Sequence, residues 1–155
     1  MKNTNSSRSS LFYILFWLQI LLALGAMGGG VCLILSPDGS LMHMPVSMLN
    51  SSPFSNFLIP GMILFFLLGL YPLIVAWCMF FKPTWKWPNL INPFKRYHWS
   101  WAASISTGII LIIWISVEVL ILKDIHFLHV LYFIWGWVII LLSLTQNIRH
   151  YFLLK

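Results

Sequence analysis

Few side chains in this sequence can do chemistry, and they are unevenly placed. The 155 residues include three acids, five histidines and two cysteines. Glu118 interrupts the run LIIWISVEVLILK, and a carboxylate in so apolar a stretch needs a partner, water or a task, because an unpaired buried charge is costly. Asp38, His43, Asp124, His126 and His129 fall on the same predicted side of the molecule as Glu118. Three chemistries fit these residue types. Glu118 can carry a proton for a transporter. Glu118 and His129 can pair within a polar intramembrane site that also takes in Thr107 and Gln19. His126 and His129, three apart on a helix, can join Asp124 as weak metal ligands. No HExxH signature supports the metal, and no cofactor is expected. No Ser/His/Asp set, P-loop or glycosidase carboxylate pair is present, so no motif supports hydrolysis or phosphoryl transfer. An enzyme on a lipid or isoprenoid normally needs two acids or histidines facing one cavity.

The elements that must position these groups follow from composition. With 60% apolar, 17% aromatic and 8% charged residues, the chain lies far outside the soluble mixture. About 20 apolar residues cross the roughly 30 Å hydrocarbon core. Four segments qualify, at about 11–35, 57–81, 99–122 and 126–146. The expectation is a single all-α domain over 1–155, an integral membrane four-helix bundle with a short tail at 1–10.

Adding 100° per residue places Gln19, Ala23, Ala26 and Gly30 on one face of the first span. Ser100, Ser104, Thr107 and Glu118 share a face of the third, and His129, Gly136, Ser143 and Asn147 share one of the fourth. Such stripes turn inward, since lipid contacts favour large apolar side chains. Only about three residues join the third and fourth spans, which predicts an antiparallel hairpin. Its midpoint between Lys123 and Asp124 sets Glu118 level with His129, within direct or one-water hydrogen-bonding distance. Interfacial water or Lys123 is the competing partner for Glu118.

Of the nine Lys and Arg residues, Lys2, Arg8, Lys82, Lys86, Lys95, Arg96, Arg149 and Lys155 fall on one side and Lys123 alone on the other. The positive-inside bias therefore predicts both termini in the cytoplasm and the 36–56 loop outside. A cleavable signal peptide is the competing reading of the first span, but its apolar run continues to Leu35, longer than such a peptide's core. The excess of cations signals topology and attraction to anionic head groups, not nucleic acid. Cys32 and Cys78 sit near opposite ends of their spans, too far apart for a disulfide, which also argues against a thiol oxidoreductase.

The outer loop, SPDGSLMHMPVSMLNSSPFSN, is too apolar to float in water. It is expected to be ordered, with Met44, Leu49 and Phe54 folded as a lid over the bundle mouth. Ser52 before Pro53 reads as a helix start, and Pro60 and Pro72 predict bends in the second span. The other long loop mixes Lys and Arg with Trp85, Trp87, Tyr97, Trp99 and Trp101, the composition of an interfacial belt.

The order SPDGS, PVSMLNSSPFSNFLIPG, HWSW, IIWISVE and NIRHY resembles a group of small four-span bacterial membrane proteins of uncharacterised function, over nearly the whole chain. The resemblance implies a helical bundle in a bacterial cytoplasmic membrane and carries no activity. Two classes of function lead: a non-enzymatic protein binding membrane lipid, a hydrophobic small molecule or another membrane protein, and a small proton-coupled carrier using Glu118. A membrane-embedded enzyme is the third.

Overall fold

A computed structural model describes residues 8–123 and 125–154. Lys2, Asp124 and Lys155, used above, lie outside that range. Among the described residues, four helices are long and apolar enough to cross a membrane: Ser10–Leu35, Leu58–Phe81, Trp99–Leu122 and Phe127–Leu144. We refer to them as the first to fourth spans. Two short helices, Lys86–Ile91 and Gln146–Phe152, flank the bundle at the end that carries the first and last described residues. That end is termed the terminal end, and the opposite one the loop end.

Polar side chains set the helix limits. Ser9 Oγ accepts from the Phe12 N–H at 3.4 Å to open the first span, and His98 Nδ1 accepts from the Ser100 N–H at 3.3 Å to open the third. Each satisfies a backbone donor left over in a first turn. The second and third spans close on Lys82 and Lys123, both in the left-handed conformation. Ser52 does not start a helix. Its Oγ accepts from Phe54 N at 3.1 Å in a local turn, and Asn56 Oδ1 instead meets the Leu58 N–H at 3.0 Å. Pro60 thus falls in a first turn, where its missing N–H costs nothing. Ahead of Pro72 the chain widens into a π-helical segment, Leu64–Leu70. A wider turn gives the proline ring room against the preceding carbonyls.

The fourth span ends earlier than the apolar run suggests. Thr145 is extended at φ −61°, ψ 146°, so the Gln146–Phe152 helix starts with a new phase. Asn147 therefore leaves the face it would share with Ser143 and is exposed. The break lets the last residues return to the loop before the third span. His98 N donates to Phe152 O at 2.8 Å and Leu154 N to Arg96 O at 2.9 Å, forming an antiparallel bridge between Tyr97 and Leu153.

The spans pack as two hairpins, first with second and third with fourth. Glycines set both contacts. A Cβ at Gly30 would lie 2.9 Å from the Gly61 carbonyl oxygen, and one at Gly108 only 2.6 Å from that of Gly136. The hairpins meet mainly through the Tyr71–Phe81 half of the second span against the third, while the first and fourth spans touch sparsely. Phe12, Leu15, Met79, Ile148 and Phe152 fill the core near the terminal end. Toward the loop end the hairpins diverge.

The 36–57 loop covers that divergence. Leu49 is 5% exposed and packs with Leu33 and Phe57, joined by the partly buried Met44, Met48 and Phe54. Asp38 ties its first turn, with Oδ1 accepting from Ser36 Oγ and from the N–H and Oγ of Ser40 at 3.2 and 3.0 Å. These bonds hold the Asp38 carboxyl below the usual carboxylate range, the Ser36 hydroxyl contributing most. Gly39 has φ 77°, and a Cβ there would strike the Met44 carbonyl oxygen at 2.0 Å. Two short 3₁₀ turns, Ser40–Met42 and Val46–Leu49, complete the cover.

Candidate functional site

Where the hairpins part, all four spans and the loop line a half-open chamber of about 570 Å³. The first span lends Leu22, Gly25, Ala26 and Gly29, small enough on one face to leave the space open. Leu68, Leu111, Trp114 and Ile115 come from the second and third, and Met44 and Met48 from the loop. Polar groups reach the wall from Glu118, His126, His129, His43 and Tyr132. A second space of about 160 Å³ lies beside it under Leu49, Phe54 and Phe57, and Glu118 and Trp114 border both. The floor consists of Leu22, Leu68 and Leu111, each at most 2% exposed.

Glu118 and His129 meet at this wall. His129 Nε2 lies 3.9 Å from Glu118 Oε2, with the side chains 10% and 31% exposed. That separation exceeds a direct hydrogen bond and is within ion-pair range. It also allows one water to touch both. The histidine is oriented by its own helix. His129 Nδ1 accepts from the His126 N–H at 3.0 Å, and the His126 ring accepts from the His129 N–H, giving a reciprocal cap. A neutral His129 with Nδ1 as acceptor carries its proton on Nε2, on the side of Glu118. The wall thus presents an N–H and a carboxylate together, a pair able to accept from and donate to one polar head. Each imidazole also gives one nitrogen to backbone capping, which competes with any metal. Among the described residues no group of three His, Cys, Asp or Glu side chains is placed to hold an ion.

Gln19 and Thr107 sit elsewhere. Both are fully buried in the terminal half of the bundle, and Thr107 lies eleven residues, roughly 16 Å, along the helix from Glu118. Gln19 Nε2 donates to Ser104 Oγ at 3.0 Å, and Ser104 Oγ lies 3.0 Å from Ser143 Oγ. Trp101 Nε1 donates to the Ser143 carbonyl at 2.8 Å. First, third and fourth spans are joined by this chain, interhelical hydrogen bonds of the kind that hold helices together in a medium without water. Gln19 Oε1 and Trp135 Nε1 are buried without a protein partner. Thr107 returns its hydroxyl to the Ala103 carbonyl at 3.2 Å. The four polar residues therefore occupy two depths, separated by the leucine floor, and only Glu118 and His129 share the chamber. Trp114 and Tyr132, which spacing alone passes over, supply much of its wall together with Gly25. Gly25 and Gly29 carry the available signal as a GxxxG pair.

At the terminal end, cations are held by aromatic rings. The Arg8 guanidinium lies 3.6 Å from the Phe80 ring centroid and donates to the Phe80 carbonyl at 3.0 Å. Lys82 Nζ lies 3.4 Å from the Tyr151 centroid and donates to the Tyr151 carbonyl. Burial, then the nearby Arg8 charge, push the Lys82 ammonium down to about 8. Trp85 stacks on Trp77, Trp87 and Trp99 at 5.8 to 6.3 Å between centroids, as an interfacial belt would. No family model, curated protein or solved structure matches this chain.

Proposed function

We propose that this multi-span membrane protein is a non-enzymatic binding protein, whose chamber takes an elongated hydrophobic molecule with a hydrogen-bonding or cationic head. The observation that carries the reading is the chamber itself: about 570 Å³ between four apolar helices, with an oriented carboxylate–imidazole pair on its wall. Small-molecule sites share this make-up, a mostly apolar cavity of roughly 300–1,000 Å³ with few polar groups. Glu118 is the acid that a cationic head would meet.

A proton-coupled carrier using Glu118 is the second reading, favoured by the carboxylate bordering both spaces. It needs a polar route across the bundle, and the leucine floor separates Glu118 from Gln19 and Ser104. Binding is therefore preferred over transport, and over an enzyme with one chamber acid.

Native mass spectrometry from nanodiscs loaded with dodecylamine, dodecanol or dodecanoic acid tests the binding reading. The amine should be retained over the acid by about tenfold or more, the size of one charge-assisted contact away from water. Glu118→Gln should remove that preference while keeping the alcohol. Equal retention of all three, or of none, would sink it.

The orientation follows the cation bias. Among the described residues Arg8, Lys82, Lys86, Lys95, Arg96 and Arg149 belong to the terminal end and only Lys123 to the loop end, so we read the terminal end as cytoplasmic, in a bacterial plasma membrane as the resemblance implies. A Ser47→Cys protein should react with an impermeant maleimide in intact cells. Reaction only after permeabilisation would reverse the assignment.

A further inference from the structure

The Tyr97–Leu153 bridge at the terminal end has an effect independent of the chamber. It brings the loop before the third span against the last helix, and between them lies a pocket of about 300 Å³ lined by Arg96, Tyr97, Gln146, Arg149, His150 and Leu153. Two arginines and a histidine thus line one pocket. None of the chain's three acids is near in sequence, and of those described, Asp38 and Glu118 belong to the loop-end half. The backbone on both sides is fixed by the bonds from His98 to Phe152 and from Leu154 to Arg96. Arg149 is held further, donating to Tyr97 Oη at 3.0 Å and lying 5.5 Å from its ring centroid. The Arg149 guanidinium is therefore positioned before any ligand arrives.

We propose that this pocket binds a phosphate group, as the head group of an anionic phospholipid or as a free phosphate. Planar guanidiniums match phosphate oxygens in paired hydrogen bonds, and Gln146 and Tyr97 add neutral ones. Basic pockets beside membrane helices take lipid head groups by this chemistry. The surroundings favour the lipid. The fourth span, which leads into Gln146, exposes Trp137, Leu141 and Leu144, whose spacing of four and three places them along one helix face. Acyl chains lying on that stripe would bring a phosphate to the level of the pocket.

The test is native mass spectrometry of the full chain in a neutral detergent, titrated with dioleoylphosphatidylglycerol, dioleoylphosphatidylcholine or inorganic phosphate. One phosphatidylglycerol should bind in preference to phosphatidylcholine, and Arg96→Gln with Arg149→Gln should weaken it about tenfold or more, as losing two charge-assisted contacts implies. Lys86→Gln with Lys95→Gln removes the same charge outside the pocket and should leave binding within about twofold of the original, a small fraction of that loss. If inorganic phosphate binds alone and displaces the lipid, the site serves a soluble anion. If it does neither while phosphatidylglycerol binds, the site serves the lipid. Equal losses in the two double variants would reduce the effect to general surface charge and overturn the proposal. So would unchanged binding in the arginine variant, with an intact thermal transition confirming that it folds.

Discussion

Replacing Gly108 with leucine should abolish the hairpin of the third and fourth spans. The backbones cross so closely there that even the methyl of Gly108→Ala would sit 2.6 Å from the Gly136 carbonyl oxygen and 2.7 Å from Ile140 Cγ1. One of those neighbours is main chain and cannot rotate away. Overpacking of this kind costs about 1–3 kcal/mol for small groups, and a leucine multiplies the displaced atoms. The alanine variant is expected to unfold in dodecyl sulfate at a clearly lower denaturant fraction, and the leucine variant to fail to give a monodisperse peak. The control is Gly28→Ala, where the added carbon meets nothing within 4 Å. It should be neutral or mildly stabilising, because alanine favours helix by up to about 1 kcal/mol over glycine. A Gly108→Leu protein as resistant as the original would mean that the spans do not cross there.

The second large effect concerns the chamber. Gly25→Phe should cut dodecylamine retention by about tenfold or more, the loss expected when a ring takes the space of the ligand's chain. A Cβ at Gly25 makes only ordinary contact, 3.5 Å from Tyr132 Oη, so backbone strain is not the cause. Gly25→Ala should therefore bind nearly as well as the original. Thermal stability should hold in both, since glycine is the poorer helix former. Undiminished retention by Gly25→Phe would place the amine outside the chamber.

Much of the architecture was legible because membrane helices obey few rules. Length and apolarity located the four spans, and the face shared by Gln19, Ala23, Ala26 and Gly30 is the buried one. Equal spacing from the turn put Glu118 level with His129, and their side chains approach. What escaped had physical causes. Gly108 carries no polar group to mark it, and its importance comes from the partner helix. Nothing local marks Pro60 as a first-turn residue, because the helix opens at Leu58, only two residues before it. The Thr145 break goes with the return of residues 152–154 to the segment 96–98, a contact between distant segments. The chamber is more remote still, because it arises from the divergence of two hairpins and no single segment encodes it.

On the proposed binding role, the sparse contact between the first and fourth spans determines where a guest's energy would come from. A guest sliding in sideways between them leaves hydrocarbon, not water, so its tail has already gained the roughly 0.8 kcal/mol per methylene of aqueous escape on partitioning into the bilayer. Exchanging lipid neighbours for leucine, methionine and tryptophan adds little for an alkyl chain of any length. Discrimination then rests on the head group at Glu118 and His129, and occupancy tracks the guest's mole fraction among lipids. Varying chain length should barely alter selectivity in a membrane, while changing the head by one functional group should alter it strongly.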